Sequence, residues 1–162
     1  MIKKGRFIAF EGIDGSGKST QIQLLKDKIL REGISCYDTF EPSTGPIGVM
    51  ARQFLSGRMK ADNKVLMALF AADRLDPILN ETDGILQKIN KGVTVLTDRY
   101  YFSSYAYHGL DVPIEQVIRM NEESASLLRP DLTFFIDIDA GTAMERITKN
   151  RFHTELFEKA CK

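Results

Sequence analysis

The residues with the clearest capacity for chemistry lie near the start of the chain, in the segment Phe10–Thr20. From Gly12 to Ser19 this segment reads Gly-x-x-x-x-Gly-Lys-Ser, the Walker A pattern. Glycines let the backbone curl so that its N–H groups converge on a phosphate, while the lysine adds a cation and the serine a metal ligand. The pattern predicts a phosphate site, and the alternative is a glycine-rich turn that binds nothing.

The segments on either side of this loop have the character of a strand and a helix. Residues 6–10 are mostly apolar, and apolar residues recur at 22, 25 and 29, which is helical spacing. Lys18 is predicted to reach the β- and γ-phosphates of a nucleotide, and Ser19 to bind Mg²⁺. The expected nucleotide contacts are Gly12, Asp14, Gly15, Ser16, Gly17, Lys18, Ser19 and Thr20.

Strand-like and helix-like segments alternate along the rest of the chain. This alternation predicts an α/β fold, a three-layer α/β/α arrangement with a central parallel sheet, in one domain spanning 1–162. The predicted strands cover about 6–10, 34–40, 93–97 and 132–138. The predicted helices cover about 18–32, 47–57, 101–107 and 142–149, and longer helical regions begin near 62 and 113. Pro77 is expected to kink or restart the first of these regions.

Polar clusters follow the predicted strands, at 11–20, 41–44, 98–99 and 137–139. Ligands of parallel sheets bind beyond the carboxyl ends of the strands, so we expect these clusters to share one edge. Asp98 is predicted to hold Mg²⁺, with an acidic helix cap as its alternative. Arg99 is predicted to clamp a phosphate, with a structural ion pair as its alternative.

Two further groups of residues have the spacing of a single helix face. Phe70 and Arg74 are four residues apart and suit a planar base that carries an exocyclic oxygen. The alternative is a core phenylalanine beside a surface arginine. Ser103, Ser104 and Tyr107 share a face after Asp98-Arg99, and their alternative is ordinary surface polarity.

Composition narrows the functional classes. The 162 residues include 22 Lys plus Arg and 22 Asp plus Glu, and this zero net charge argues against a broad nucleic-acid-binding surface but permits a local basic pocket. No apolar run approaches membrane-spanning length, and the basic N-terminus does not lead into a secretory signal. Cys36 and Cys161 read as reduced cysteines of a cytoplasmic protein. His108 and His153 lack metal-ligand spacing and are expected to be surface or packing residues.

A phosphoryl-transfer site needs further cations beyond Lys18. Arg146 and Arg151 follow the last predicted strand and are candidates on a lid near 146–156, with surface solvation as the alternative for each. If the acceptor is itself a phosphate anion, no dedicated general base is needed.

Several motifs together identify a resemblance. Four motifs occur in the following order along the chain: Phe10–Thr20, Leu69-Phe70-Ala71-Ala72-Asp73-Arg74, Asp98-Arg99-Tyr100 with Ser103-Ser104-x-x-Tyr107, and Arg129-Pro130-Asp131-Leu132-Thr133. The chain resembles the thymidylate kinases, which are P-loop nucleoside-monophosphate kinases, from about residue 7 to residue 147. The resemblance implies the P-loop kinase fold, ATP as phosphoryl donor, Mg²⁺ as cofactor, dTMP as acceptor and a homodimer.

The resemblance also implies roles for individual residues. It gives Phe70 a stacking contact with the base and Arg74 a contact with a base oxygen. Arg99 then binds the acceptor phosphate, and Asp14 lies near the sugar hydroxyl and the reacting phosphates. Ser103 and Ser104 are expected at the base edge and Tyr107 against the sugar, while Lys18, Asp14, Arg99 and Arg151 form the expected catalytic set.

The chain departs from the family pattern in three places. Phe40 replaces the arginine that often follows strand two, although it remains an expected acceptor contact. The lid is thin, with Arg151 as its best arginine and Leu156 where arginine is common. The family normally continues for some tens of residues, so either the C-terminus is shortened or its last segment is missing from the recorded sequence. These departures leave open a kinase for another nucleotide or nucleoside, or a nucleotide-binding homologue with weak or no activity.

Overall fold

The computed structural model describes residues 4–150. Within them lie four strands, β1 (Phe7–Glu11), β2 (Cys36–Phe40), β3 (Thr94–Asp98) and β4 (Leu132–Phe135). They form one sheet in the order β2-β3-β1-β4, and every pairing is parallel. The predicted α/β fold with a central parallel sheet is confirmed.

Seven helices connect and cover these strands within the described residues. They are α1 (Lys18–Arg31), α2 (Pro46–Leu55), α3 (Asn63–Leu79), α4 (Ile85–Asn90), α5 (Tyr101–His108), α6 (Ile114–Leu127) and α7 (Ala140–Asn150). Asp62 caps α3 by accepting a hydrogen bond from the Lys64 N–H at 2.8 Å. Between residues 4 and 150, no helix is both long enough and apolar enough to cross a bilayer.

Side chains alternate between the two faces of the sheet and build two core clusters. Phe7, Ala9 and Val95 face the helices α3–α5, where they pack with apolar residues such as Ile78 and Tyr101. Phe10 and Leu96 face α1 and pack with its apolar stripe, Ile22, Leu25 and Ile29. Helices therefore cover both faces, which gives the three-layer α/β/α architecture.

The predictions for three elements were inaccurate, each for a local reason. β2 begins at Cys36 rather than at 34, because the Ile34 N–H still donates to Ile29 O and closes the end of α1. β4 ends at Phe135 rather than at 138, since its neighbour β1 ends where the glycine loop begins. α3 continues through Pro77 to Leu79 without restarting, because Pro77 lies in its last turn and disturbs few helical bonds.

The carboxyl ends of three strands meet, as predicted. Asp98 ends β3 opposite Phe10 of β1 and Phe40 of β2. The polar clusters after these strands therefore lie at one edge of the sheet. The predicted fourth cluster has a different role in part, because Asp139 accepts hydrogen bonds from the N–H and the hydroxyl of Thr142 and starts α7.

Candidate active site

The loop between β1 and α1 follows a path that only glycines tolerate. Gly12 has φ 143° and Gly15 has φ 76°, in the region that disfavours side chains. A Cβ on Gly12 would lie 2.7 Å from Ile136 O, and one on Gly15 would lie 2.6 Å from Ala143 O. The loop therefore packs closely against the residue that follows β4 and against α7. It leads directly into the N-terminus of α1 at Lys18.

Lys18 is folded across this loop and is nearly buried, with 5% of its surface exposed. Its Nζ donates to Ile13 O at 3.0 Å and lies 3.9 Å from Asp98 Oδ1. Burial lowers the pKa of Lys18, and the nearby charge of Arg99 lowers it further. Asp98, Asp14 and Glu11 oppose this shift, so the ammonium is held among carboxylates.

The two residues predicted to bind a metal ion are in direct contact. Ser19 Oγ donates to Asp98 Oδ2 at 2.6 Å, across 79 positions of the sequence. A hydroxyl and a carboxylate beside a phosphate loop form the oxygen donor set that suits Mg²⁺. The alternative role of Asp98, an acidic cap on α5, has no support, because α5 shows no side-chain cap hydrogen bond.

Arg99 lies at the centre of the site in a strained backbone conformation, with φ 75°. Its guanidinium donates to Asp14 Oδ1 at 2.6 Å, to Gly12 O at 3.1 Å and to Ser103 Oγ at 2.9 Å. It also lies 5.1 Å from the centre of the Tyr107 ring and donates to its Oη at 3.3 Å. Burial alone would lower the pKa of Arg99, but the Asp14 carboxylate raises it above its ordinary value.

Glu11 supports Arg99 through Ser103; the sequence placed Glu11 in a strand-end polar cluster but predicted no individual role for it. It is 4% exposed, and its carboxylate accepts hydrogen bonds from the Tyr100 N–H at 3.0 Å and from Ser103 Oγ at 2.6 Å. Burial raises the pKa of Glu11, and the hydrogen bonds from Ser103 and Tyr100 reduce that shift. The carboxylate fixes the turn that carries Arg99, a role that required knowledge of which strand ends meet.

Phe70 and His108 form an aromatic wall of the cleft. Their ring centres lie 5.2 Å apart in an edge-on arrangement. His108 is 3% exposed, so the packing role that we allowed for it is correct and the surface role is wrong. Burial, with a contribution from Arg74, lowers the pKa of His108 to about 4. The histidine is therefore neutral at physiological pH.

Arg74 is buried, so the alternative of a surface arginine is wrong. Only 1% of it is exposed, and it forms a two-point contact with Glu41, Nε–Oε1 at 2.8 Å and Nη2–Oε2 at 2.5 Å. Nη2 also donates to Ser104 Oγ at 3.0 Å, and Nη1 donates to Asn121 Oδ1. Burial would lower the pKa of Arg74, but Glu41 raises it above its ordinary value, so the guanidinium stays charged.

The loop after β2 brings a second arginine close to Phe40. Phe40 is 47% exposed at the end of the strand, and a cis peptide bond joins Glu41 to Pro42. Asp73 accepts hydrogen bonds from the N–H and the hydroxyl of Ser43, at 2.7 and 2.5 Å. Arg52 of α2 donates to Pro42 O at 2.7 Å and to Ser43 O at 2.6 Å. Arg52 thus supplies a guanidinium at a loop where the sequence lacks the expected arginine.

The segment predicted to form a lid, 146–156, lies only in part within the described residues. Arg146 of α7 donates to Gly15 O at 3.2 Å and to Ser16 O at 3.4 Å, so it reaches the glycine loop. Arg151, the predicted lid cation, lies outside the described residues.

These residues surround one cleft with a volume of about 1040 Å³. Nearly all of the predicted site residues line it, namely Asp14, Gly15, Ser16, Gly17, Lys18, Ser19, Thr20, Phe40, Phe70, Arg74, Asp98, Arg99, Ser103, Ser104 and Tyr107. Gly12 contributes its carbonyl to Arg99 beside them. The lining residues that the sequence prediction missed include Glu41, Arg52 and His108. Glu41 lay in a predicted strand-end cluster, whereas Arg52 and His108 gave no signal in their local sequence.

Comparisons with known proteins agree with this geometry. The family model described as "Thymidylate kinase" matches residues 10–161. A relative named "Probable thymidylate kinase" from Methanocaldococcus jannaschii is 40% identical, over 94% of this chain and 76% of its own length. A "Probable thymidylate kinase" from Pyrobaculum calidifontis is 41% identical, over 94% of this chain and 74% of its own length. A "Thymidylate kinase" from Desulfotalea psychrophila is 38% identical, over 96% of this chain and 75% of its own length.

Proposed function

Because the chain belongs to the thymidylate kinase family, we propose that it transfers the γ-phosphoryl group of ATP to dTMP and yields ADP and dTDP. One observation carries the proposal: a glycine loop with its lysine and an aromatic wall with a buried arginine line the same cleft. The glycine loop and its lysine suit a phosphate chain, and the aromatic wall with its arginine suits a planar base. A substrate that combines a base with a phosphate spans both.

The triphosphate belongs at the glycine loop. The backbone amides of the loop and the positive end of α1 favour an anion, and the Lys18 ammonium neutralises charge on the transferring group. Ser16 Oγ is buried in this loop and makes no hydrogen bond to any residue in 4–150, which fits a loop that shares its polar groups with a ligand.

Mg²⁺ is the cofactor that the donor set fits. The hydroxyl of Ser19 and the carboxylate of Asp98 are 2.6 Å apart beside the loop and would hold the ion there. When bound, Mg²⁺ neutralises charge on the phosphate oxygens during transfer. The Lys18 ammonium lies 3.9 Å from the Asp98 carboxylate, so the lysine charge and the proposed metal site are next to each other.

The acceptor belongs opposite the loop, with its phosphate on Arg99 and its base on Phe70. Arg99 is half-buried, charged and supported by Glu11 through Ser103, so its guanidinium is held in one orientation. The Asp14 carboxylate accepts a hydrogen bond from Arg99 Nη2, and an acceptor phosphate would compete with Asp14 for this donor. Tyr107 and Phe40 would enclose the sugar and phosphate. The acceptor phosphate is already an anion, so the site needs charge neutralisation and alignment rather than a general base.

A coupled assay of ADP release, run with each common nucleoside monophosphate, tests the proposal. We expect dTMP to give the highest kcat/KM. Another preferred acceptor would assign a different nucleotide kinase, which the Phe40 position allows. ATP binding without turnover of any acceptor would assign a nucleotide-binding homologue instead.

Three finer expectations accompany the proposal. We propose one kinase domain with a lid near 146–156, in which Arg151 joins Arg146 around the donor phosphates. We propose a homodimer, supported by exposed apolar side chains on three helices that pack together, such as Val49 on α2, Val65 on α3 and Ile118 on α6. Sedimentation equilibrium tests the dimer, and a cytoplasmic location is tested by cell fractionation.

A further inference from the structure

We propose that Asn121 and Glu41 are positioning residues that fix Arg74, so that the site favours a base with a carbonyl oxygen over one with an amino group. The inference rests on the proposed function, because it assumes that a nucleobase lies on Phe70 beside Arg74. It concerns two residues that act through the guanidinium. Asn121 is not among the residues that line the cleft.

The hydrogen bonds of Arg74 account for most of its donors. An arginine has five N–H groups in a fixed plane and no acceptor. Glu41 takes Nε–H and one Nη2–H, Ser104 takes the other Nη2–H, and Asn121 takes one Nη1–H. One N–H on Nη1 is not used by these three partners. Because Arg74 and Phe70 both line the cleft, this donor is available to the edge of a base that is stacked on Phe70.

Asn121 determines how the guanidinium is turned about its long axis. The side chain is 1% exposed on α6, and its Nδ2 donates to Val117 O at 2.7 Å. This bond commits the amide nitrogen to the helix and directs Oδ1 toward Arg74, which can only donate. An apolar side chain at position 121 would remove the partner of one Nη1 donor, and the guanidinium would lose a fixed orientation.

Glu41 holds the opposite side of the same plane. Its two oxygens contact Nε and Nη2, while the Arg74 Cζ lies 5.3 Å from the centre of the Tyr100 ring. A carboxylate on one edge, an amide oxygen on the other and an aromatic ring below leave little freedom of rotation.

This arrangement predicts the sense of base selection. A fixed N–H bonds well to a carbonyl oxygen on the pyrimidine ring. An exocyclic amino group at the same ring position would set donor against donor, and the buried guanidinium has no acceptor to offer. The discrimination therefore depends on the orientation of Arg74 and not only on its presence.

Binding of dTMP and dCMP to the full chain, measured by calorimetry without ATP, tests the inference. We expect the wild type to bind dTMP more tightly. Asn121→Leu and the smaller Asn121→Ala should each reduce the ratio of the two affinities by about tenfold, the loss expected for a hydrogen bond to a charged group. Asn121→Asp keeps an oxygen toward Arg74 and should retain the ratio within about threefold.

Ser124→Ala is the matched control. Ser124 lies on α6 one turn later, is 2% exposed and donates to the Asn121 backbone oxygen at 2.9 Å without a hydrogen bond to Arg74. It should lower the melting temperature and leave the affinity ratio unchanged. An unchanged ratio in both Asn121→Leu and Asn121→Ala, an equal loss in Ser124→Ala, or a wild type that binds both nucleotides equally would overturn the inference. The calorimetric experiment contains no ATP and measures no phosphoryl transfer. Failure of the proposed kinase activity would be seen in a different experiment, the coupled assay, as absent ADP formation.

Discussion

The phosphate end of the cleft and its base end are built in different ways. At the phosphate end, eight consecutive residues from Gly12 to Ser19 form a glycine loop and the first two residues of α1. At the base end, Arg74 of α3 is held by Glu41 after β2, by Ser104 of α5 and by Asn121 of α6. The first site is local, whereas the second exists only after four parts of the chain have packed together.

Because of this difference, substitutions at the two ends of the cleft should have different effects on turnover and on stability. A loop side chain that points toward a ligand can be removed while the sheet and its helices stay in place. A member of the base network cannot be removed without leaving buried polar groups unpaired, which costs stability as well as binding. We therefore expect variants at the phosphate end to lower turnover alone, and variants at the base end to lower both binding and the free energy of unfolding.

Lys18→Ala should have the largest effect on turnover. We expect kcat to fall by about 100- to 1000-fold, as when a fixed electrostatic donor is removed from a reacting charge. The free energy of unfolding should be unchanged or higher, because a buried ammonium is removed. Steady-state kinetics and urea unfolding check the two expectations. Lys28→Ala, at an exposed position of the same helix, is the control, and near-normal turnover in Lys18→Ala would contradict the role of the loop.

Glu41→Gln should have the largest effect on stability. The substitution leaves the Arg74 guanidinium, which is 1% exposed, without its counter-charge, and breaking such a buried pair costs about 3 kcal/mol. Affinity for dTMP should fall in parallel.

Asp83→Asn gives the matched comparison, since it breaks the exposed pair of Asp83 with Lys88. This change should cost under about 1 kcal/mol by urea unfolding. Equal losses in the two variants would show that the base network has no special energetic role.

His108 should make the base end sensitive to acid. Its pKa is about 4 in the folded chain against 6.5 for an unperturbed histidine, so the unfolded state binds more protons between these values. Stability should therefore decrease as pH falls from about 6.5 toward 4, by roughly 3 kcal/mol in total. In His108→Phe this component should be absent. Parallel stability curves for the two proteins from thermal unfolding would exclude a neutral, buried histidine.

Arg146→Ala should have the smallest effect. Its guanidinium donates to two carbonyls of the glycine loop over long distances of 3.2 and 3.4 Å, and the residue is exposed. We expect the KM for ATP to rise by about threefold, with kcat little changed. Lys149→Ala, exposed on the same helix, controls for the loss of a positive charge. The same increase in both variants would show that the contact with the loop does not matter.

The same division explains what could be predicted from the sequence. The loop was predictable residue by residue, because its glycines, lysine and serine must stand at fixed spacings in one segment. The contact between Ser19 and Asp98 was predictable in outline, since both follow strands of a parallel sheet.

The supporting residues were not predictable in this way. Asn121 and His108 lie in or beside segments that read as ordinary helices, and Glu11 lies in a polar cluster that gave it no role of its own. Their roles depend on partners 38 to 92 positions away. The orientation of Arg74 was equally hidden, because helix spacing places it on the face of Phe70 without indicating whether it is buried. Long-range packing determines that burial, and no local pattern encodes it.

Identification of the phosphorylated product tests the central claim most directly. Phosphorus NMR of ATP, Mg²⁺ and dTMP with the protein follows both the loss of the γ-phosphate signal and the molecule that receives it. If a donor and an acceptor meet in this cleft, ADP and dTDP should appear in equal amounts, and with Lys18→Ala both should form about 100- to 1000-fold more slowly. Release of inorganic phosphate in place of dTDP, or an unchanged ATP signal, would contradict the account.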